Sequence, residues 1–110
     1  MALKQHWFHI LLALAAGATH GAEIRRRVRE HTDNSPKLYP AMLYGSLDDL
    51  QESGLIVELD ERSGRPSHEN ERYRYYRLTP KGRKALAEET RRLETVARFA
   101  REALATGRPR

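Results

Sequence analysis

A cluster of basic side chains in the second half of the sequence is its most chemically suggestive feature. Between residues 62 and 84 there are eight Lys or Arg against two Glu, a local charge of +6 in a chain whose net charge is +5. The basic members are Arg62, Arg65, Arg72, Arg74, Arg77, Lys81, Arg83 and Lys84. Such a concentration favours a polyanionic partner, with a solvated charged face as the alternative. A second basic run, RRRVR at 25–29, allows the same two interpretations, with Glu23 and Glu30 nearby.

Side chains suited to catalysis or metal binding are not spaced for either use. His6 and His9 stand three residues apart and could share a metal ion, but no third ligand is placed with them. The sequence has no Cys, which excludes a disulfide framework and a cysteine-based metal site. No Ser-His-Asp set, Gly-rich phosphate loop or carboxylate pair has a convincing spacing. We therefore predict that the protein is not an enzyme and has no metal site and no cofactor.

The hydrophobic pattern predicts the elements that carry the basic cluster. The 110 residues suffice for one domain. Helices are predicted at about 3–16, 20–31 and 39–53, the third ending at Gly54. Strands rich in β-branched and aromatic residues follow at 55–60 and 72–79, and Thr79 begins a long last helix over 79–105.

The predicted order α-α-α-β-β-α is that of a winged helix-turn-helix, mainly helical with a two-stranded β-wing. An α-helix fits the major groove of B-DNA, and a basic hairpin beside it can follow the phosphates or enter the minor groove. The basic cluster falls on this wing, as that use requires. We predict a DNA-binding domain at 1–78, a dimerisation helix at 79–105 and a disordered tail at 106–110.

The stretch HWFHILLALAAGATHGAEI, residues 6–24, allows two interpretations. With Lys4 before it, its apolar run and small-residue tail have the outline of a secretory signal peptide. Alternatively, it contains a buried first helix that stops at Gly17 and a second helix that begins near His20. We favour the helices, because cleavage near Gly17 would remove one of three core helices. The apolar run, about ten residues, is too short to span a bilayer, and we expect a cytoplasmic protein without a membrane segment.

The last helix carries a longer apolar stripe than one small domain can cover. A spacing of four and three residues sustained over several turns is typical of a pairing surface, and the first helix is apolar on most sides. We therefore predict a homodimer, with an amphipathic helix folded back on its own domain as the alternative. The residues assigned to the dimer contact are Trp7, Leu11, Leu86, Leu93, Val96, Ala97, Phe99, Ala100 and Leu104.

Three stretches follow one another in a characteristic order: ILLALAAGATHGAEI, then LYPAMLYGSLDDLQESGLI, then GRP followed by YYRLTPKG at 75–82. Together, over about residues 8–90, they resemble the PadR family of transcriptional regulators. The resemblance implies a dimeric, sequence-specific DNA-binding regulator, expected to be a repressor that binds double-stranded DNA at a pseudo-palindromic operator. Because many such regulators respond to small molecules, release of DNA by an unidentified effector is a further expectation.

The DNA contacts are assigned to the predicted third helix and the wing. Helix 39–53 is expected in the major groove and wing 61–74 on the backbone or in the minor groove. Lys37 and Tyr44 can hydrogen-bond phosphates, and Ala41 or Met42 can touch a thymine methyl group. Arg65, beside a Pro, suits the minor groove. The full set is Lys37, Tyr39, Ala41, Met42, Tyr44, Arg65, Arg72 and Arg74.

Two features of the third helix depart from the family pattern. Tyr39 stands where a helix-capping Ser is frequent, and its ring cannot make that short bond, so Ser35 or Asn34 assists or the cap is lost. Asp48 and Asp49 lie where basic or neutral polar residues are common. Because Asp48 would repel phosphates, we interpret it as facing solvent at the groove edge. These carboxylates favour the alternative function, a winged-helix protein-interaction module with weak or no DNA affinity.

Overall fold

The computed structural model describes residues 3–32, 38–60 and 74–107. These residues form an N-terminal group of helices, a small antiparallel sheet and a long C-terminal helix. The elements are α1 (Gln5–Ala15), β1 (Thr19–His20), α2 (Gly21–Thr32), α3 (Pro40–Glu52), β2 (Ile56–Leu59), β3 (Tyr75–Leu78) and α4 (Pro80–Thr106). The predicted mainly helical winged helix-turn-helix is confirmed.

The sheet differs from the prediction by one additional strand. It has three strands in the order β1-β3-β2, with Thr19 opposite Tyr76 on one side and Glu58 opposite Tyr76 on the other. The predicted two-stranded wing is the β2–β3 hairpin, and β1 is a third strand of the sheet that the sequence pattern did not predict. A strand of two residues that runs directly into α2 has no alternation of its own. Its pairing with β3 ties the turn after α1 to the base of the wing.

The core lies where α1, α2 and α3 meet the sheet. α1 contributes Ile10, Leu11 and Leu14, all at most 2% exposed, so it is a core helix as predicted. Its neighbours in the core are Ile24, Val28, Leu43, Leu47, Leu50, Ile56, Tyr76 and Leu78. Burying one large aliphatic side chain stabilises the fold by about 1.5–3 kcal/mol. The α1 side chains alone therefore contribute an amount comparable with the net stability of a small domain, about 5–15 kcal/mol.

The end of α3 is a Schellman motif. Gly54 has a φ of +78°, a left-handed conformation that a residue with a Cβ adopts only with strain. The amide of Gly54 donates to the carbonyl of Gln51 at 3.0 Å, and the amide of Leu55 donates to that of Leu50 at 2.9 Å. The prediction that Gly54 ends the helix is confirmed, and the turn directs the chain into β2.

Thr79 and Gly82 fasten the start of α4 to this turn. The hydroxyl of Thr79 accepts from the amide of Gly82 at 3.0 Å, which is the predicted N-cap, and donates to the carbonyl of Gly54 at 2.7 Å. A Cβ on Gly82 would lie 2.0 Å from the carbonyl oxygen of Leu55, so only glycine allows this approach. Lys81 adds a bond from its Nζ to the carbonyl of Ser53 at 2.9 Å. The start of α4 is thus held against the α3–β2 turn at several points.

α4 runs well past the body of the domain. Its 27 residues correspond to about 40 Å of helix, and the molecule measures 58 × 26 × 21 Å. Only Gly82, Leu86 and Glu89 of this helix are buried. It ends at Thr106, one residue beyond the predicted bound, and residues 108–110 of the predicted tail lie outside the described residues. None of the described helices is long and apolar enough to cross a membrane.

Candidate nucleic-acid interface

The solvent-facing side of α3 and the residue just before the helix carry large aromatic and apolar side chains. Tyr39 is 60% exposed, Met42 42% and Tyr44 46%, and Ala41 is exposed beside them. The opposite side of the helix, with Leu43, Leu47 and Leu50, is fully buried as predicted. We call Tyr39, Ala41, Met42, Tyr44 and Asp48 the α3 surface. Because such side chains are seldom grouped on a surface without a partner, the α3 surface is a candidate binding face.

The start of α3 lacks a side-chain cap among the described residues. Tyr39 occupies the N-cap position in an extended conformation, and its side chain makes no capping hydrogen bond. Pro40 follows at the first position of the helix, where its missing amide hydrogen costs nothing. The prediction that Tyr39 cannot cap the helix is confirmed. Ser35 and Asn34, the proposed substitutes, lie outside the described residues.

Tyr44 also packs against the first residue of α2. A Cβ placed on Gly21 would lie 2.9 Å from Oη and 3.3 Å from Cε1 of Tyr44, so the ring occupies the space above the glycine. The start of α2 thus positions the ring within the α3 surface. Sequence reasoning assigned Tyr44 to the interface but missed Gly21, whose signal was a glycine at the first helical position.

The charge of the α3 surface is opposite to that of the basic cluster. From residue 38 to residue 61 the sequence has six Asp or Glu and no Lys or Arg. Asp48 and Asp49 are both exposed. α3 therefore brings negative charge to any polyanion that it approaches, and the compensating cations must come from other segments.

Arg74, at the base of the wing, is held by an acidic side chain of the neighbouring strand. Its Nη2 and Nε donate to Oε1 of Glu58 at 2.8 and 3.2 Å, and its guanidinium lies 5.6 Å from the centre of the Tyr76 ring. The hydrogen bonds to Glu58 raise the pKa of Arg74, and Asp48 adds to the effect. Burial raises the pKa of the Tyr76 hydroxyl to about 12. This hydroxyl has no hydrogen-bond partner among the described residues.

Three of the predicted DNA-binding residues cannot be placed. Lys37, Arg65 and Arg72 lie outside the described residues. Of the predicted set, Tyr39, Ala41, Met42 and Tyr44 are brought together on the α3 surface. Arg74 lies at the base of the wing, in an ion pair that the charge count did not reveal.

The arginines of α2 stabilise the fold. Arg25 donates to the carbonyl of Leu38 at 3.0 Å, and Arg27 donates to the carbonyls of Ala13 and Gly17 at 2.9 and 2.8 Å. Arg26 pairs with Glu23 and with Glu30. Hydrogen bonds from Arg26, aided by Arg27, lower the pKa of Glu23 to about 2. The structural interpretation of RRRVR is therefore favoured for these members of the run.

The distal half of α4 carries an exposed apolar stripe. Leu93 is 38% exposed, Val96 52%, Phe99 62% and Leu104 84%, with Ala97 and Ala100 between them. These are the residues that the heptad-like spacing assigned to the dimer contact. No residue of the described chain covers them fully, so a face suited to a second copy is available.

Two other residues assigned to the dimer contact belong to the core of the subunit. Leu11 is 0% exposed and Leu86 is 9% exposed, so both side chains are already covered within one subunit. A helix that is apolar on most sides does not reveal which of its residues face its own domain. Trp7 is intermediate in burial: its side chain packs partly against the core, and the Lys4 ammonium lies 5.1 Å from the centre of its ring.

A cleft of about 310 Å³ lies between α1 and α4. It is lined by Leu3, Gln5, Phe8, His9, Glu89, Arg92 and Leu93. Glu89 is only 6% exposed and accepts from Arg92 at 2.8 and 2.6 Å, which lowers the pKa of its carboxyl. Nδ1 of His9 is buried without a partner among the described residues, and burial lowers the pKa of this imidazole. The cleft thus combines apolar walls with one charged pair.

The described residues contain no group of three or more His, Cys, Asp or Glu side chains placed to hold a metal ion. Within residues 3–32, 38–60 and 74–107, His6 and His9 therefore have no third such side chain placed with them.

Comparisons with known proteins agree with this architecture. The model of the transcriptional regulator PadR-like family matches residues 10–88. The chain is 37% identical over 92 residues to the transcriptional regulator Rv3488 of Mycobacterium tuberculosis, covering 82% of this chain and 77% of that protein. A transcriptional regulator from Clostridium thermocellum has a TM-score of 0.70 at 26% identity, over 87% of this chain and 89% of that one.

A PadR family transcription regulator from Clostridium difficile R20291 shares the fold, with a TM-score of 0.71 at 23% identity over 89% of this chain and 98% of that one. The family comprises DNA-binding regulators without enzymatic activity, so the prediction that the protein is not an enzyme is confirmed. With the family model spanning most of its length, the chain belongs to the PadR-like family of transcriptional regulators.

Proposed function

We propose that the protein is a homodimeric, sequence-specific repressor that acts in the cytoplasm by occupying a pseudo-palindromic operator. α3 lies in the major groove, and wing residues 61–74 lie on the backbone or in the minor groove. The observation that carries this proposal is the α3 surface. Its aromatic and apolar side chains are exposed, and residues 62–84 of the same chain carry a charge of +6 in the sequence.

The α3 surface suits base readout better than phosphate binding. Ala41 and Met42 supply apolar contact for thymine methyl groups, and the hydroxyl of Tyr44 and the ammonium of Lys37 supply donors for phosphates. Since α3 has no Lys or Arg, attraction to the duplex comes from the basic cluster of residues 62–84. Arg65 and Arg72 are the members assigned to the duplex there.

Affinity that depends on the wing must fall steeply with salt. If about three to five phosphates per subunit are neutralised, the logarithm of the association constant falls with the logarithm of salt concentration with a slope of about −2.7 to −4.5 per subunit. A protein-interaction module, the alternative suggested by Asp48 and Asp49, would show no such dependence of DNA affinity on salt concentration.

The second copy is assigned to the apolar stripe of α4. Leu93, Val96 and Phe99 are exposed on a helix that extends beyond its own domain, and a matching helix would remove these side chains from water. A two-fold axis through this contact sets two α3 surfaces on one face, so that two half-sites about 34 Å apart, one helical turn, can be read together.

The α1–α4 cleft is where a small-molecule effector would act. It combines Phe8 and Leu93 with the Arg92–Glu89 pair, so it suits a small molecule with an apolar body and a polar end. Because α1 belongs to the DNA-binding domain and α4 carries the dimer face, a ligand wedged between them would change the spacing of the two α3 surfaces.

Selection from a random duplex library tests the proposal directly. Bound sequences should converge on two inverted half-sites, and light scattering should give the mass of a dimer bound to one duplex. The affinity of the protein for the selected duplexes should fall by roughly 10³-fold or more when the KCl concentration is raised from 50 to 200 mM. A dimer that enriches no sequence and ignores salt would support the protein-interaction module instead.

A further inference from the structure

α3 and the base of the wing meet in a cluster of opposite charges. We call Asp48 of α3, Glu58 of β2 and Arg74 before β3, together with the buried ring of Tyr76, the wing-base cluster. The register places Glu58 opposite Tyr76, and residues two apart on a strand share a face. Glu58 and Tyr76 are therefore direct cross-strand neighbours. Arg74, two residues before Tyr76, is the diagonal neighbour of Glu58 on the same face of the sheet.

Arg74 is engaged on two sides. Two of its nitrogens donate to one carboxylate oxygen of Glu58, and its guanidinium approaches the Tyr76 ring. Asp48 makes a minor contribution to the raised pKa values of Arg74 and Tyr76. A charge-assisted pair on an aromatic face is pre-organised in a way that a freely solvated arginine is not.

The segment around this cluster needs a compensating cation. Residues 38–61 carry six acidic and no basic side chains, and Asp48 and Asp49 are exposed. A carboxylate close to a phosphate repels it, and the repulsion is stronger near a protein surface than in bulk water. An acidic recognition helix therefore approaches DNA more easily if its carboxylates near the wing are neutralised within the protein.

We propose, on the basis of the proposed function, that Arg74 is a positioning residue that neutralises Glu58 beside the acidic helix α3. Arg74 stays with Glu58 in the DNA complex and does not bind a phosphate. Moving to a phosphate would break both bonds to Glu58 and leave that carboxylate, whose side chain is 32% exposed, facing a polyanion. The sequence-based assignment of Arg74 as a phosphate contact is replaced by this role.

The test compares Arg74→Gln in two backgrounds. In the otherwise natural chain, Arg74→Gln leaves Glu58 unpaired and should weaken binding of the selected operator duplex about five- to tenfold. In the Asp48→Asn/Glu58→Gln background nothing remains to be neutralised. There, Arg74→Gln should change the dissociation constant by less than about twofold and leave the salt slope unchanged.

A direct phosphate contact gives a different result. Arg74→Gln would then weaken binding in both backgrounds and remove about 0.9 from the magnitude of the salt slope already in the otherwise natural chain, where Glu58 is present. That outcome would overturn this inference while leaving the proposed function intact. Absence of any duplex binding by the natural chain, across the library, would overturn both.

Arg77→Gln is the matched control, because Arg77 is an exposed arginine of the same strand and removing it lowers the net charge by the same amount. Its effect should be the same in both backgrounds, since nothing in the wing-base cluster depends on it. Circular dichroism of each variant checks that the fold is retained. If the double background does not fold, the same comparison in Glu58→Gln alone should still show at least half of the rescue, on a logarithmic scale; no rescue there would contradict the inference.

Discussion

The hydroxyl of Tyr44 lies directly over Gly21, so the first residue of α2 positions an aromatic side chain of the α3 surface. A Cβ on Gly21 would stand 2.9 Å from Oη of Tyr44 and 3.3 Å from a methyl carbon of Leu43. The helix-turn-helix therefore does more than set the angle between two helices. It determines where the Tyr44 hydroxyl, the expected phosphate donor, can lie.

Gly21→Ala should weaken DNA binding with little loss of stability. The added methyl group meets the far end of a half-exposed side chain, which can move, so the free energy of unfolding should change by less than about 1 kcal/mol. Displacing the hydroxyl from a phosphate costs about one hydrogen bond, or about fivefold in affinity. Titration of the operator duplex measures the affinity, and thermal unfolding measures the stability.

Tyr44→Phe is the control for this change. It removes the hydroxyl directly, so in the Tyr44→Phe background Gly21→Ala should have less than about half its effect on the binding free energy. If the two changes were fully additive, the contact between Gly21 and Tyr44 would not be what links α2 to the duplex.

Gly82→Ala should destabilise the fold strongly. The new Cβ would stand 2.0 Å from the carbonyl oxygen of Leu55, which is backbone and cannot turn aside. The Thr79 cap and the Thr79–Gly54 bond would be strained with it. We expect a loss of about 3 kcal/mol in the free energy of unfolding, measured by urea denaturation.

Gly45→Ala is the matched change with the opposite sign. Gly45 also lies in a helix, but a Cβ there meets nothing within 4 Å. Because Ala is the better helix former, this variant should be more stable by about 0.5–1 kcal/mol. Equal effects of the two substitutions would show that the approach of Leu55 to Gly82 does not restrict residue 82.

Much of the fold follows from local pattern, and what does not follow depends on distant partners. α3 was predicted from the helical spacing of Leu43, Leu47 and Leu50. Gly54 predicted the end of α3, and Thr79 predicted the start of α4. β1 was not predicted, because its two residues form a strand only through pairing with β3. The same holds for the candidate site: exposed α3 residues follow from helical spacing, whereas the pairing of Arg74 depends on the register between two strands.

The dimer face shows the same division. The four-three spacing of α4 predicted an apolar stripe, and its distal residues are exposed. Leu86 belongs to the same stripe but packs on its own domain, because α4 passes over the core only in its first turns. Spacing identifies one side of a helix, and only the folded chain shows where along the helix that side leaves the domain.

Glu23 should make stability fall at acid pH. Its pKa is about 2 in the folded chain and 4.5 without its partners, because Arg26 and Arg27 stabilise the charged form. A lowered folded-state pKa means that its contribution is complete above about pH 4.5 and is lost as the pH falls towards 2. Urea denaturation measures the free energy of unfolding at pH 6 and at pH 3. The decrease in this free energy from pH 6 to pH 3 should be smaller for Glu23→Gln than for the natural chain. Glu88→Gln, an exposed glutamate of α4, should behave like the natural chain.

Val96→Glu should dissociate the dimer. Val96 lies within the exposed stripe of α4 at 52% exposure, and pairing with a second helix would bury it. Placing an unpaired carboxylate there should raise the dimer dissociation constant by about a hundredfold or more, because the buried charge would have no compensating partner.

Thr95→Glu is the matched control: it adds the same charge at the adjacent, exposed, β-branched position, about 100° around the helix and off the stripe. Light scattering at micromolar concentration should give a monomer for the first variant and a dimer for the second. Since one subunit contacts one half-site, the monomer should also bind the full operator weakly. Two variants with the same mass would mean that the stripe on α4 is not the pairing surface.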